Sequence, residues 1–187
     1  TENALSAASA PITLSSGSGE PAAPVYVSSE VTAQGDVSIT FNKAMADPAG
    51  KQAQFTVKVN DVSNAVTAVQ STGTLTKIKL VLTTKVAGGQ TVTVAYSKGA
   101  DDASQIKALD GTSLETFTAQ SVTNNLPYFV SAATSTDGTK VTITFSTEMA
   151  DPSGKEAEFT VLVGGVPDAV TAAALGADTT KINLTLT

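Results

Sequence analysis

The sequence predicts an all-β chain made of two antiparallel sandwiches in tandem, the second of them incomplete. Three observations carry that expectation. Apolar and polar residues alternate along short runs, as they do in strands with one buried face. Segments rich in Gly, Pro, Asp and Asn separate the runs, and no run has the spacing of a long amphipathic helix. The chain also repeats itself: residues 37–83 align without gaps with 141–187, at an offset of 104, with 26 identities in 47 positions. Similarity at that level marks a duplicated domain.

In the first copy Val37, Ile39 and Phe41 alternate with Ser38 and Thr40. Phe55, Val57 and Val59 follow the same rule, as do Val66 and Ala68, then Ile78, Leu80 and Leu82, and then Val92, Val94 and Tyr96. With 25–31 opening the unit and 114–122 closing it, there are about seven short strands in about a hundred residues, the pattern of an immunoglobulin-like sandwich. The residues just named are its predicted core. Segment 97–113 (SKGADDASQIKALDGTS) reads as a long loop with room for a single helical turn.

Upstream of the repeat, PVYVSSEVTAQGD from Pro24 matches PYFVSAATSTDGTK from Pro127, with one residue added in the turn. The predicted organisation is therefore a flexible N-terminal segment or linker at 1–23, a first repeat at 24–126 and a second at 127–187. Within the N-terminal segment, 10–15 (APITLS) has the pattern of a short strand. Only Asn124, Asn125, Leu126 and Pro127 connect the last strand of one copy to the first of the next, a linker too short and too stiff for free bending.

The second copy stops at the point matching Leu82 and Thr83, without counterparts of 91–96 and 114–122. It is expected to present an open strand edge and an uncovered core face. The expectation is that the parent chain continues. The alternative is a strand donated by another subunit, and residues 4–15, with Ile12 and Leu14 two apart, are the segment suited to that role.

Composition removes several functions. The 187 residues carry a formal charge of −6 and contain no Cys, His, Trp or Arg. Zinc and disulfides are excluded, nucleic acid lacks clustered cations to bind it, and no apolar run is long enough for a membrane span. Neither a Ser-His nor a Cys-His nucleophile pair can be built, and no Gly-rich phosphate loop leads from a strand into a helix. The chain is not expected to be an enzyme.

The most visible motif is Asp47-Pro48-Ala49-Gly50, returning as Asp151-Pro152-Ser153-Gly154. Asp first, Pro second and Gly fourth predict a type I turn, with calcium or partner binding as the other reading. Met45, Met149, Phe55 and Phe159 read as core. Tyr26, Tyr128 and Phe129 stand near the domain joint, placed to pack against the neighbouring copy. For a metal the candidates are Asp101, Asp102 and Asp110, because hard oxygen ligands on one loop suit calcium. Their spacing is not that of an EF-hand, and a solvated acidic loop is the competing reading. A Lys-Asn isopeptide bond is not expected, because the first strand, 25–31, has no Lys to face Asn124 or Asn125.

The strand VSITFNKAM, the block AQFTVKVN, the run TKIKLVLTTKVAGGQTVTVAY and the closing FTAQSVTNN, in that order, resemble the SwmB-type immunoglobulin-like repeats of long bacterial cell-surface proteins. The resemblance covers 24–187. It implies an extracellular location on the bacterial cell surface and tandem arrays beside surface-layer modules, and it brings no catalytic residue. One departure is that Leu109-Asp110-Gly111-Thr112 stands where such repeats often have Asp-x-x-Gly-Asn. Together these readings predict a structural, spacer or assembly module. Its partners would be neighbouring repeats or other copies of the protein, and a glycan or cell-wall polymer is a further candidate. The alternative is an adhesive module for a glycan or a host or matrix protein.

Overall fold

The computed structural model describes residues 21–187; the proposed donor segment, 4–15, lies outside them. The described chain is all-β. Its helical pieces are three-residue 3-10 turns at Gln52–Gln54, Asp102–Ser104 and Glu156–Glu158.

The first repeat contains β1 (Tyr26–Val31), β2 (Val37–Phe41), β3 (Phe55–Val59), β4 (Val62–Asn64), β5 (Val66–Ser71), β6 (Lys77–Leu82), β7 (Val92–Tyr96) and β8 (Phe117–Val122). They form two antiparallel sheets, β1-β2-β6-β5 and β4-β3-β7-β8. Lettered from A in chain order, with the short β4 as an added strand, these are the ABED and CFG sheets of an immunoglobulin sandwich. The inner faces meet in one cluster that includes Val37, Ile39, Phe41, Val57, Ile78, Leu80, Val94 and Tyr96. Alternation explains the burial, because successive side chains of a strand leave on opposite faces.

β4 is the strand absent from the sequence reading. It follows β3 through a two-residue turn in which Asn60 and Asp61 both take positive φ, 49° and 64°. Such a turn matches the right-handed twist of a hairpin, and the second copy makes it with Gly164 and Gly165. Asn60 is held there by its own side chain, whose Oδ1 accepts the Thr91 N–H at 2.9 Å. The repeated Asp-Pro-x-Gly turn is shifted one residue from the predicted one. Asp47 Oδ1 accepts the Ala49 N–H at 3.1 Å, and the chain reverses through Lys51 N–H donating to the Pro48 carbonyl at 3.3 Å.

Segment 66–71 also departs from simple alternation. A bulge between Val66 and Ala68 turns Val69 inward instead of Ala68, and Val69 is 3% exposed. Thr67, the extra residue, donates its hydroxyl to the Val81 carbonyl at 3.1 Å. The second copy repeats the device, with a bulge between Val170 and Ala172 and Thr171 bonded to the Thr185 carbonyl at 3.2 Å. At the same end of the sheet, beside Leu82, Asp36 is buried. Its Oδ1 accepts the Leu82 N–H at 2.9 Å and the Lys85 ammonium at 2.5 Å, so the carboxylate is satisfied.

The second repeat contains β9 (Phe129–Thr134), β10 (Lys140–Phe145), β11 (Val161–Val163), β12 (Val166–Asp168), β13 (Val170–Leu175) and β14 (Lys181–Leu186). The sheet β9-β10-β14-β13 reproduces β1-β2-β6-β5, whereas β11 and β12 pair only with each other. Ala173, Ile182 and Leu184 are buried there, and Val141, Ile143 and Phe145 are only partly covered.

Two outcomes follow from this packing. Ile39→Ala is expected to cost about 2–5 kcal/mol in urea unfolding, and Ile143→Ala, at the equivalent but half-buried position, clearly less; equal costs would separate stability from burial here. Asp61→Gly keeps the Asn60 contacts and removes a left-handed side chain, so it should raise stability by about 0.5–1 kcal/mol, read as a higher urea midpoint.

Candidate functional site

The loop carrying the three candidate calcium ligands is less loop-like than its composition. Ile106, Ala108 and Leu114 are buried in the first core, the last of them before β8 begins. Single bridges join Met45 to Ala108 and Lys107 to Ser113. The Ile106 N–H donates to the Tyr96 hydroxyl at 3.1 Å, and burial pushes that phenol's pKa up. The loop is thereby fastened to β7 and to the segment after β2.

The acids on it point to separate partners. Both Asp102 oxygens accept the Lys107 ammonium at 2.6 Å, and that bond lowers the Asp102 pKa. Asp110 accepts Lys43 at 2.6 Å and the Thr112 hydroxyl at 2.6 Å. Asp101 bonds through its backbone: its carbonyl accepts the Ser104 N–H at 2.9 Å and the Ser104 hydroxyl at 2.7 Å. Among the described residues no group of three or more acidic side chains is gathered as a metal site would need. Lys98, beside the same loop, is paired with Glu115 at 2.6 Å.

A local turn recurs at Asp110 and at three further aspartates. At four of the seven places where Asp is followed two residues later by Ser or Thr, the carboxylate accepts that residue's N–H, closing a small turn. Asp36 with Ser38, Asp61 with Ser63 and Asp102 with Ser104 have the spacing without the bond. The N–H distances are 3.1 Å for Asp110 to Thr112, 3.1 Å for Asp137 to Thr139, 3.1 Å for Asp151 to Ser153 and 3.0 Å for Asp178 to Thr180. A hydroxyl adds a second bond each time, from the same residue in three turns and from Ser135 to Asp137 in the other. Bonds to the charged form favour it, so these pKa values fall. Lys43 and Thr112 bring Asp110 to about 2, and the Ser135 hydroxyl with the Thr139 N–H brings Asp137 to about 2. The Asp-x-Ser/Thr spacing was legible in the sequence, but it does not by itself mark the turn, since Asp36, Asp61 and Asp102 share it without making the bond. Only the structure pairs Lys43 with Asp110.

The aromatic candidates divide. Tyr26 lies against its own core, 5.2 Å from the Phe117 ring centroid, whereas Tyr128 meets the first repeat and Phe129 is exposed. Met45 and Phe55 are buried in the first core, and Met149 and Phe159 pack on the second. No helix among the described residues is long and apolar enough to cross a membrane.

Carboxyl chemical shifts followed by NMR test the electrostatics. Lys43→Gln should move the Asp110 titration up toward the ordinary aspartate range and leave Asp137, which has no lysine bonded to it, unchanged. Both groups have depressed folded-state pKa values, so their contribution to stability is present above about pH 4 and is lost as the pH falls toward about 2. Thermal unfolding should shift downward across that window.

Among curated proteins none matches the chain. Similar solved structures include the N-terminal part of the bacterial S-layer protein SbsC, with a TM-score of 0.47 and 16% identity over 86% of this chain and 37% of that one. A second, the S-layer protein rSbsC(31-844), has a TM-score of 0.47 and 17% identity over 65% of this chain and 18% of that one. The chain spans well under half the length of either. The SWM repeat family, described as a flagellar system-associated repeat, matches residues 20–101 and again 122–187. Those two stretches fall on the two copies and take in most of the sequence, and the chain belongs to that family.

Proposed function

We propose that the chain is a non-catalytic structural module of a bacterial cell-surface protein, serving as a spacer or assembly unit. The observation that carries this reading is the way the first and last strands of the first repeat meet. β1 and β8 are the edge strands of different sheets, joined in parallel by a bridge between Glu30 and Thr123. The Val31 N–H donates to the Thr123 carbonyl at 2.8 Å, and the Thr123 N–H donates to the Ser29 carbonyl at 3.0 Å. Tension between the ends of the repeat enters at the start of β1 and leaves at the end of β8. In a parallel pair these pulls run in opposite directions along the strands, so the bonds are loaded together in shear instead of opening one at a time. That suits a unit held between neighbours.

Other features agree. Near the candidate site Asp102, Asp110, Lys43, Lys98 and Lys107 are committed to ion pairs that hold turns and loops, which leaves no evident constellation for catalysis there among the described residues. Membership of a flagellar system-associated repeat family supports a setting at the cell surface. The chain's own duplication supports neighbouring repeats as its first partners.

Single-molecule extension from both ends tests the reading. Thr123→Pro removes the N–H bonded to Ser29 at an exposed position, and the first repeat should then unfold at a lower force with a smaller change in melting temperature. An unchanged force would show that the β1–β8 pair does not carry the tension. On a glycan array the chain should give no saturable binding; a specific ligand there would replace the spacer reading with an adhesive one.

A further inference from the structure

The chain passes from one repeat to the next across a pair of glycines. Residues 87–90, Ala-Gly-Gly-Gln, lie between β6 and β7 at the end of the first repeat where the chain leaves it. Asn124, just past β8, grips this segment: its Nδ2 donates to the carbonyls of Ala87 and Gln90, both at 2.9 Å. The Oδ1 of the same side chain accepts the Leu126 N–H at 3.2 Å, and Leu126 packs against the first core. The connection is thus laid across Gly88. A Cβ at that residue would stand 2.4 Å from the Pro127 carbonyl oxygen and 2.5 Å from that of Leu126, closer than any side chain permits.

Gly89 makes the contact with the second repeat. Its φ is +80°, and its Cβ position lies 3.3 Å from Cγ and Cδ1 of the Tyr128 ring, so the ring covers a bare stretch of backbone. Tyr128 is in turn fixed to the second repeat. Its N–H donates to the Ser146 hydroxyl at 3.1 Å and its carbonyl accepts the Ser146 N–H at 3.0 Å. From Asn124 to Tyr128 the connection is bonded or packed first to one repeat and then to the other, with proline restricting φ between them.

We propose that this joint holds the two repeats at one mutual orientation, with Gly88 and Gly89 as the seat and Tyr128 as the group that rests on it. The inference goes beyond the spacer reading and does not depend on it, since repeats on free joints would also span a distance. The chain has no cysteine, so a pair of labels can be placed cleanly. Ala53→Cys and Ala157→Cys put spin labels at equivalent exposed positions of the two repeats, and pulsed electron resonance on the full chain reads the distance distribution between them. A single narrow distribution is expected. Gly88→Val, and independently Tyr128→Ala, should broaden it about twofold or more, toward the spread of a flexible linker. Tyr128 is 45% exposed and outside both buried clusters, so its loss should leave the melting curve little changed and the broadening attributable to the joint. A broad distribution in the unaltered chain, or an unchanged width in Tyr128→Ala, overturns the proposal.

Discussion

The structure depends on the meeting of two pleated faces. Ile39, Ile78 and Leu80 from one sheet and Val57, Val94 and Tyr96 from the other are buried in one cluster because each strand sends alternate side chains inward. Removing this apolar surface from water is the main favourable contribution to folding a domain of this size. The second repeat is an internal comparison. It keeps the sheet β9-β10-β14-β13 but has only β11 and β12 in place of the facing sheet. Val141, Ile143 and Phe145, the equivalents of Val37, Ile39 and Phe41, are correspondingly left half covered.

Polar side chains do a different task, holding the connections that the core does not reach. Asp36 closes one end of the sheet through Leu82 and Lys85, Thr67 and Thr171 satisfy carbonyls beside their bulges, and the Asp-x-Ser/Thr turns bend the chain back on itself. Two of them recur in both copies, the bonds of Thr67 and Thr171 and the turns at Asp47 and Asp151, whereas the positions equivalent to Asp36 and Asp178 are Lys140 and Thr74. A surface built this way has its charges matched locally, at Lys43 with Asp110, Lys98 with Glu115 and Lys107 with Asp102. Such pairs contribute little to stability individually, but they leave few charges aimed together at a ligand.

On the proposed reading, the path of tension through the molecule is continuous. It enters at β1, crosses to β8 by the bonds at Ser29, Val31 and Thr123, and reaches Asn124, which grips the β6–β7 connection. The next contact is Tyr128 on Gly89, already part of the second repeat. The bonds that close the sandwich and those that seat its neighbour are thus adjacent in sequence, within residues 123–128.

The sequence by itself determined the fold class, the two copies and most of the first core, because the period of two and the 104-residue offset are local or self-referential signals. Val37, Ile39, Phe41, Val57, Leu80 and Val94 were all legible that way. The Asp-x-Ser/Thr spacing was equally local, although only four of its seven copies close a turn. Tertiary structure decided what depends on distant partners. Ile106, Ala108 and Leu114 look like loop residues until the sandwich closes over them, and Lys43 meets Asp110 across 67 residues of chain. Val69 replaces Ala68 in the core only because one residue bulges out of the pairing with β6. The role of Gly88 and Gly89 was hidden for the same reason: a glycine pair reads as a turn, and only the chain crossing over it shows that the missing side chains make room for the next repeat.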